Sequence, residues 1–248
     1  MIEVVVSGAG GKLASPIIDA IADAEDLELS GLFNPNRGGS QMHGVEIVDQ
    51  PDLVSGDVVV ETAHPDAVFD NVEVWCRLGL AAVVGTSGFT ADRLVRLGEI
   101  WTSDRPCLVV PNFSVGAVLM MRFAREAAAR FAAVEIVEKH SSGKPDAPSG
   151  TSLATAAGIG EAGGSSVASL EELVEGARGA MVEGVRVHSI RLPGVIAQQE
   201  VVLSNPGEVL SIEHLSTSYE SFVSGALTAI RGVGSLPPGV HVGLDAVL

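Results

Sequence analysis

The first 33 residues predict a strand, a glycine-rich turn, a helix and a second strand. Residues 2–7 form a short run rich in valine, which is typical of a parallel strand buried on both faces. Residues 27–33 form a second apolar run, and between the two runs apolar residues recur at helical spacing at Leu13, Ile17, Ile18 and Ile21. This order restricts the chain to an α/β fold in which strands alternate with helices.

The turn has the composition of a dinucleotide-binding site. Gly8, Gly11 and Ala14 give the spacing G-x-x-G-x-x-A instead of the strict G-x-G-x-x-G, and a glycine-rich turn without context is weak evidence. Here a strand precedes the turn and a helix follows it, so the backbone can approach a pyrophosphate closely and the helix N-terminus supplies N–H donors. We predict that the coenzyme contacts Gly8, Gly10, Gly11, Lys12 and Leu13.

The end of the second strand bears on which coenzyme is used. Enzymes that use NAD usually carry Asp or Glu about twenty residues beyond the glycines, whereas this chain has Asn34, followed by Arg37. Without the carboxylate a 2′-phosphate is not repelled, and Arg37 could pair with it. We therefore predict contacts from Asn34 and Arg37 and a preference for NADPH, with NADH as the second choice. In the competing interpretation Arg37 is only a solvated loop charge.

The alternation continues to about residue 110 and predicts a doubly wound parallel sheet. Strand-like runs cover residues 57–60, 81–84 and 107–110, and helical stretches cover 67–79 and 91–101. In such sheets ligands bind beyond the carboxyl ends of the strands. At that edge we predict further coenzyme contacts from Ala63, Gly85, Thr86, Ser87, Pro111, Asn112 and Phe113.

The pattern changes after Pro111 and predicts a second, α+β region. Its predicted helices cover residues 115–132 and 152–159, and its predicted strands cover 134–138, 185–191, 198–204 and 209–214. A last helix is predicted over 219–230, followed by a Gly/Pro-rich tail at 232–239.

The segment 138–151 has the composition of a site that holds a carboxylate and handles a proton. His140 and Lys144 lie four residues apart, just before a turn suited to an anion. We predict that Asp146 caps a helix starting near Pro148, and that the backbone N–H groups of Ser149, Gly150 and Thr151 face the anion. The alternatives are a polar loop that happens to precede a helix and a buried, structural His140.

Composition excludes some classes of partner. The chain has 31 acidic and 15 basic residues and a formal charge of −16, so nucleic acid and anionic lipid surfaces are repelled. Cys76 and Cys107 are isolated, which predicts reduced core thiols and neither a disulfide framework nor a metal site. The N-terminus leads directly into a strand, so we expect an unprocessed cytoplasmic protein.

Several motifs occur in order along nearly the whole chain. They are Gly8-Ala9-Gly10-Gly11, Val83 to Thr90, Pro111-Asn112-Phe113-Ser114, Glu138-x-His140, Lys144-x-Asp146-Ala147-Pro148-Ser149-Gly150-Thr151 and His188-Ser189-x-Arg191-Leu192-Pro193-Gly194. Together they resemble the dihydrodipicolinate reductase family of bacterial lysine biosynthesis. The block from Lys144 to Thr151 is highly specific to that family.

The resemblance implies a Rossmann-like dinucleotide domain over 1–112, an inserted α+β domain over 113–218 for substrate binding and oligomerisation, and a C-terminal helix and tail over 219–248 that return to the first domain. It implies hinge closure, a homotetramer and NAD(P)H-dependent reduction of a cyclic unsaturated imine dicarboxylate to tetrahydrodipicolinate. His140 and Lys144 match the catalytic residues. Substrate binding is assigned to Ser141, Ser149, Gly150 and Thr151.

The chain also departs from the family pattern. Ser141 and Gly143 replace histidines, the usual D-F-T is Glu61-Thr62-Ala63, and Tyr219 replaces an arginine. These departures leave two alternatives open. One is a divergent paralogue that acts on a related cyclic dicarboxylate, in the oxidative direction or with another redox cofactor. The other is a sensor that binds NADP and a dicarboxylate without turnover.

Overall fold

The protein was analysed as a computed structural model, which describes residues 1–86, 88–167 and 171–248. Ser87, one of the predicted coenzyme contacts, lies outside the described residues. The chain divides into two compact units, one formed by Met1–Val115 and Tyr219–Leu248 and the other by Gly116–Ser218. The chain therefore passes from the first unit to the second after Val115, whereas the sequence predicted a boundary after Asn112. It returns to the first unit at Tyr219.

The strands are β1 (Ile2–Ser7), β2 (Leu27–Phe33), β3 (Gln41–Met42), β4 (Val45–Val48), β5 (Val58–Glu61), β6 (Ala81–Val84), β7 (Pro106–Val109), β8 (Ala133–Ser141), β9 (Ala180–Val182), β10 (Val185–Leu192), β11 (Ala197–Asn205), β12 (Glu208–Ser216) and β13 (Gly239–Val242). The α-helices are α1 (Ala14–Asp23), α2 (Val68–Leu78), α3 (Ala91–Ile100), α4 (Val115–Ala128), α5 (Gly150–Glu161) and α6 (Val223–Val233). Short 3₁₀ turns cover Pro51–Leu53, Tyr219–Phe222 and Leu244–Ala246. In the described part of the chain, no helix is both long and apolar enough to cross a bilayer.

The first unit is built on one sheet with the strand order β13-β7-β6-β5-β1-β2-β4-β3. Every pair in this sheet is parallel except β3 with β4. Side chains alternate between the two faces of a strand, so Val5 and Val59 pack towards α2 and α3 while Val4 and Val60 point the other way. The predicted doubly wound parallel sheet is confirmed.

The second unit contains a five-stranded sheet in the order β12-β11-β8-β10-β9. Only β8 and β10 pair in parallel. One face of the sheet packs on α4 and α5, and its core includes Ile136, Val187 and Leu203 from the strands and Ala124 and Ile159 from the helices. The predicted α+β character of this region is confirmed.

Two predicted elements differ from the structure in ways that matter for the site. The strand predicted over 134–138 is longer, because β8 continues to Ser141 while it pairs with both β10 and β11. His140 therefore lies in a strand. The helix predicted over 219–230 is a 3₁₀ turn followed by α6, and the tail after it ends in the strand β13, which adds a parallel edge to β7.

Candidate functional site

The glycine turn after β1 is too tight for side chains. Gly8 and Gly10 have φ angles of 86° and 76°, a region in which glycine is strongly favoured. A Cβ atom on Gly8 would lie 2.7 Å from the Thr62 hydroxyl oxygen, and one on Gly11 would lie 2.9 Å from the Gly8 carbonyl oxygen. The turn leads into α1, so a backbone surface without side chains lies next to the N–H groups at the helix N-terminus. This arrangement suits a pyrophosphate. Leu13, predicted in the helix, is its N-cap residue, and Lys12 is exposed.

Asn34 and Arg37 both lie at this turn. The Asn34 amide nitrogen donates a hydrogen bond to the carbonyl of Ala9 (2.7 Å), and its oxygen accepts one from the backbone N–H of Asn36 (3.0 Å). A Cβ atom on Gly10 would lie 2.9 Å from an Arg37 guanidinium nitrogen, so this side chain covers the turn. A neutral amide and a cation thus occupy the region where an NAD enzyme has a carboxylate.

The predicted loop contacts are held together at the carboxyl edge of the same sheet. The Ala63 N–H donates to the Glu61 carboxylate (2.7 Å), and the Ala63 carbonyl accepts from the Thr86 hydroxyl (2.9 Å). A Cβ atom on Gly85 would lie 2.2 Å from the Phe113 ring, so the ring packs directly on the glycine. Asn112 accepts a hydrogen bond from the Ser114 N–H (2.8 Å) and follows the exposed Pro111.

His140 lies near the end of β8 with its side chain 15% exposed. Its Nδ1 atom contacts an Oε atom of Glu138, whose carboxylate is fully buried. Burial, with smaller contributions from the positive charges of Lys144 and Arg191, lowers the pKa of His140, although Glu138 acts to raise it. The neutral imidazole is therefore favoured, and with Nδ1 donating to Glu138 its Nε2 atom is the ring nitrogen available for proton transfer.

Lys144 follows β8 closely and is paired with Asp146. Its backbone N–H donates to the Ser141 carbonyl (3.1 Å), and its ammonium lies 2.9 Å from each carboxylate oxygen of Asp146. The hydrogen bond from Lys144 lowers the pKa of Asp146 in spite of some burial. The chain therefore holds the ammonium in a defined position close enough to His140 to affect its charge state.

The prediction that Asp146 caps the following helix is wrong. α5 begins at Gly150, and its N-cap is Ser149, whose hydroxyl accepts from the Ser152 N–H (3.2 Å). Ser149 has the extended backbone conformation that an N-cap requires, whereas the Asp146 carboxylate is occupied by Lys144. Gly150 and Thr151 are the first residues of α5, so their N–H groups point towards its N-terminal end.

Buried hydrogen bonds fix the start of α5 on the sheet. The Ser149 and Ser152 hydroxyl oxygens lie 2.8 Å apart, and Ser152 donates to the side-chain oxygen of Gln199 on β11 (2.6 Å). The Gln199 amide nitrogen donates to the Thr155 hydroxyl (2.7 Å). The helix N-terminus is therefore rigidly attached to the strand next to the one that carries His140.

Glu138 and Arg191 belong to two of the sequence motifs, but the sequence predicted no role for either residue. Arg191 on β10 donates to both carboxylate oxygens of Glu138 (2.9 and 3.0 Å) and to the backbone carbonyl of Asp146 (2.6 Å). Burial acts to raise the pKa of Glu138, but hydrogen bonds from Arg191, Ser189 and His140 lower it on balance. The parallel register, which sets Arg191 opposite His140 and Ser189 opposite Glu138, brings these residues together, and the sequence did not predict this.

These features define a class of protein. A doubly wound sheet with a glycine turn shaped for a dinucleotide, and a separate α+β unit that presents an imidazole, an ammonium and a helix N-terminus, are the parts of a two-unit, dinucleotide-dependent enzyme of the Rossmann type.

Comparison with known proteins identifies the family. The models for the N-terminus and the C-terminus of dihydrodipicolinate reductase match residues 2–113 and 116–248. The 4-hydroxy-tetrahydrodipicolinate reductases of Cutibacterium acnes and Thermobifida fusca are both 43% identical to this chain, over 100% of it and 99% of their own length. A dipicolinate-bound dihydrodipicolinate reductase from Paenisporosarcina sp. TG-14 matches with a TM-score of 0.85 and 32% identity, with both chains fully covered. The chain belongs to the dihydrodipicolinate reductase family, which uses the nicotinamide coenzyme NAD(P)H.

Proposed function

We propose that this protein reduces a cyclic unsaturated imine dicarboxylate of the dihydrodipicolinate type to tetrahydrodipicolinate, with NAD(P)H, in the lysine and diaminopimelate pathway. The observation that carries the proposal is the arrangement of His140, Lys144 and the start of α5 within one unit of a chain whose relatives bear that enzyme name. The substitutions at Ser141 and Gly143 leave this arrangement in place.

The residues of the second unit supply charge and a proton. The reduced nicotinamide, when bound, supplies the hydride, and the conjugated imine then gathers negative charge that must be neutralised. The Lys144 ammonium or a protonated His140 donates the proton, because either group is positioned by a carboxylate partner on its other side. A substrate carboxylate is held by the Lys144 charge and the N–H groups of Gly150 and Thr151, with Ser149 fixing the helix start. Ser141 borders the same segment through its bond to Lys144.

We also propose that the coenzyme is NADPH in preference to NADH. Two features support this choice: Arg37 covers Gly10 at the turn, and Asn34 stands in place of the ribose-binding carboxylate. The glycine turn, Ala63, Gly85, Thr86 and the Pro111 to Phe113 segment are the proposed remaining contacts, and the crowded surroundings of Gly8 and Gly85 fit a backbone surface that a ligand must approach closely.

A homotetramer formed through the second unit and a cytoplasmic location complete the proposal. Val209, Leu215 and Met181 are 69%, 53% and 50% exposed, and they lie on the sheet face opposite α4 and α5. Exposed apolar side chains on one sheet face are suited to an interface between copies of the chain. The free thiols of Cys76 and Cys107 suit a reducing compartment.

The deciding experiment follows the absorbance of NADPH with purified protein and dihydrodipicolinate generated in place from pyruvate and aspartate semialdehyde, with NADH in a parallel assay. We expect rapid oxidation of NADPH and slower oxidation of NADH. Absence of oxidation with both coenzymes would contradict the proposal and would favour the paralogue acting on a related ring.

A further inference from the structure

Glu61 is a fully buried carboxylate that the chemistry described above does not use. It is the last residue of β5, and its side chain accepts several hydrogen bonds. Among them are one from the backbone N–H of Ala63 (2.7 Å) and one from the indole N–H of Trp75 (2.8 Å). Trp75 is itself fully buried in α2, where its ring meets Phe33 edge to face at 5.8 Å. A single carboxylate therefore joins the core of the first unit to the loop after β5.

This loop is held between the other predicted coenzyme segments. Thr62 donates its hydroxyl to the carbonyl of Ser7 (2.7 Å) and lies against Gly8 of the glycine turn. The carbonyl of Ala63 accepts from Thr86 in the neighbouring loop (2.9 Å). The peptide groups on either side of Ala63 are thus both tethered, one of them by the carboxylate of Glu61.

We propose that Glu61 and Trp75 form a positioning pair that fixes the Thr62-Ala63 segment for coenzyme binding. The inference deepens the proposed function, since it rests on the first unit binding NAD(P)H. Neither residue needs to touch the coenzyme. The pair fixes the position of the Thr62-Ala63 segment at the carboxyl edge of the sheet, and the affinity for the coenzyme depends on that position.

The hydrogen bonds to Glu61 offset the cost of burying its carboxylate. Burial raises the pKa of Glu61, and the hydrogen bonds from Trp75 and Ala63 oppose that rise. Loss of the indole N–H would therefore leave the carboxylate with one fewer donor in a buried position.

The test compares two tryptophans, because Trp75 and Trp101 are the only ones in the sequence and both are buried. The indole N–H of Trp101 donates to the backbone carbonyl of Arg105 (2.7 Å), away from the coenzyme loops. We expect Trp75→Phe and Glu61→Gln each to weaken direct binding of NADPH by roughly fivefold to tenfold, as expected for the loss of one typical hydrogen bond. The KM for NADPH should rise while kcat stays within about twofold. Trp101→Phe should lower the melting temperature and leave the dissociation constant of NADPH unchanged.

The double variant shows whether Glu61 and Trp75 act as a coupled pair or contribute independently to NADPH binding. Glu61→Gln with Trp75→Phe should bind NADPH no more weakly than the weaker single variant, since the first change already breaks the pair. Wild-type affinity in both single variants, or effects that multiply in the double variant, would overturn the inference. If Glu61→Gln does not fold, the comparison of Trp75→Phe with Trp101→Phe decides alone. If the wild-type protein binds NADPH but does not reduce dihydrodipicolinate, the proposed function fails while this test still applies.

Discussion

Arg191 binds both carboxylate oxygens of Glu138 at 2.9 and 3.0 Å and reaches the carbonyl of Asp146 at 2.6 Å. One guanidinium group therefore joins the strand that carries His140 to the loop that carries Lys144. The fixed fork of arginine is needed for this geometry, because an ammonium group could not serve two parallel bonds and a third acceptor together.

Arg191→Met should lower the free energy of unfolding by about 3–5 kcal/mol, because it leaves the buried Glu138 carboxylate without its charge partner. Denaturant unfolding followed by circular dichroism measures the change. The control is Arg125→Met, since the pair of Arg125 with Glu161 is exposed and 3.6 Å long, and its loss should cost less than about 1 kcal/mol. Equal effects of the two changes would show that the Arg191 pair contributes no more than a surface contact.

Lys144→Ala should reduce kcat/KM for the ring substrate by about 10²–10⁴-fold, the usual range for a positioned proton donor. Binding of NADPH, measured by titration in the absence of substrate, should be unchanged. Lys139→Ala is the matched control, because Lys139 lies in the same strand as His140 but points to the opposite face of the sheet. Retained turnover in Lys144→Ala would exclude this lysine from the chemistry.

His140 should titrate below the ordinary histidine value of about 6.5, since burial lowers its pKa. At pH values between the folded-state and unfolded-state pKa of His140, the unfolded chain binds more protons than the folded chain. The contribution of His140 to stability is therefore present above about pH 6.5 and is lost as the pH falls towards its folded-state pKa. The imidazole signal in NMR spectra, assigned with His140→Asn, gives the midpoint. If His140 donates the proton, kcat should fall as the pH rises through that midpoint, whereas a flat kcat would assign the donation to Lys144.

Arg37→Met should raise the KM for NADPH by about tenfold, in line with loss of a charge-assisted hydrogen bond, and should leave the KM for NADH nearly unchanged. Steady-state assays with the two coenzymes in parallel measure both values. Arg77→Met is a control that removes a surface arginine elsewhere in the same unit, where its partner is Asp52. A parallel loss with both coenzymes would mean that Arg37 supports the turn and does not recognise the 2′-phosphate.

The sheet of the first unit was largely predictable because each of its inner strands is a separate apolar run. Residues 27–33 and 81–84 were predicted as strands with the bounds that the structure has. The edge strand β13 was not predicted, because it has only four residues and they show no clear strand pattern after the Gly/Pro-rich stretch. Its extended conformation depends on pairing with β7. The glycine turn was recognisable because its constraints are local, whereas the cover of Gly10 by Arg37 depends on how two loops meet.

In the segment 138–151 the sequence indicated the candidate residues by their types but did not predict their contacts. His140 and Lys144 stood out as titratable groups four residues apart. Their partners could not be assigned, because the bond of Arg191 to Glu138 joins residues that only strand register brings together. The cap of α5 was misplaced for a related reason: Asp146 and Ser149 are both good N-cap residues, and the pairing of Asp146 with Lys144 decides between them.

The inserted position of the second unit has a consequence for biosynthesis. Residues Gly116–Ser218 form one uninterrupted stretch, whereas the nucleotide sheet needs both Met1–Val115 and Tyr219–Leu248. Domains usually become complete in the order in which they leave the ribosome. Here the unit that starts first is finished last, because α6 and β13 are made only after the whole inserted unit has emerged. A nascent chain that has emerged only as far as residue 218 would therefore carry a finished second unit joined to a first unit whose sheet still lacks its edge strand β13.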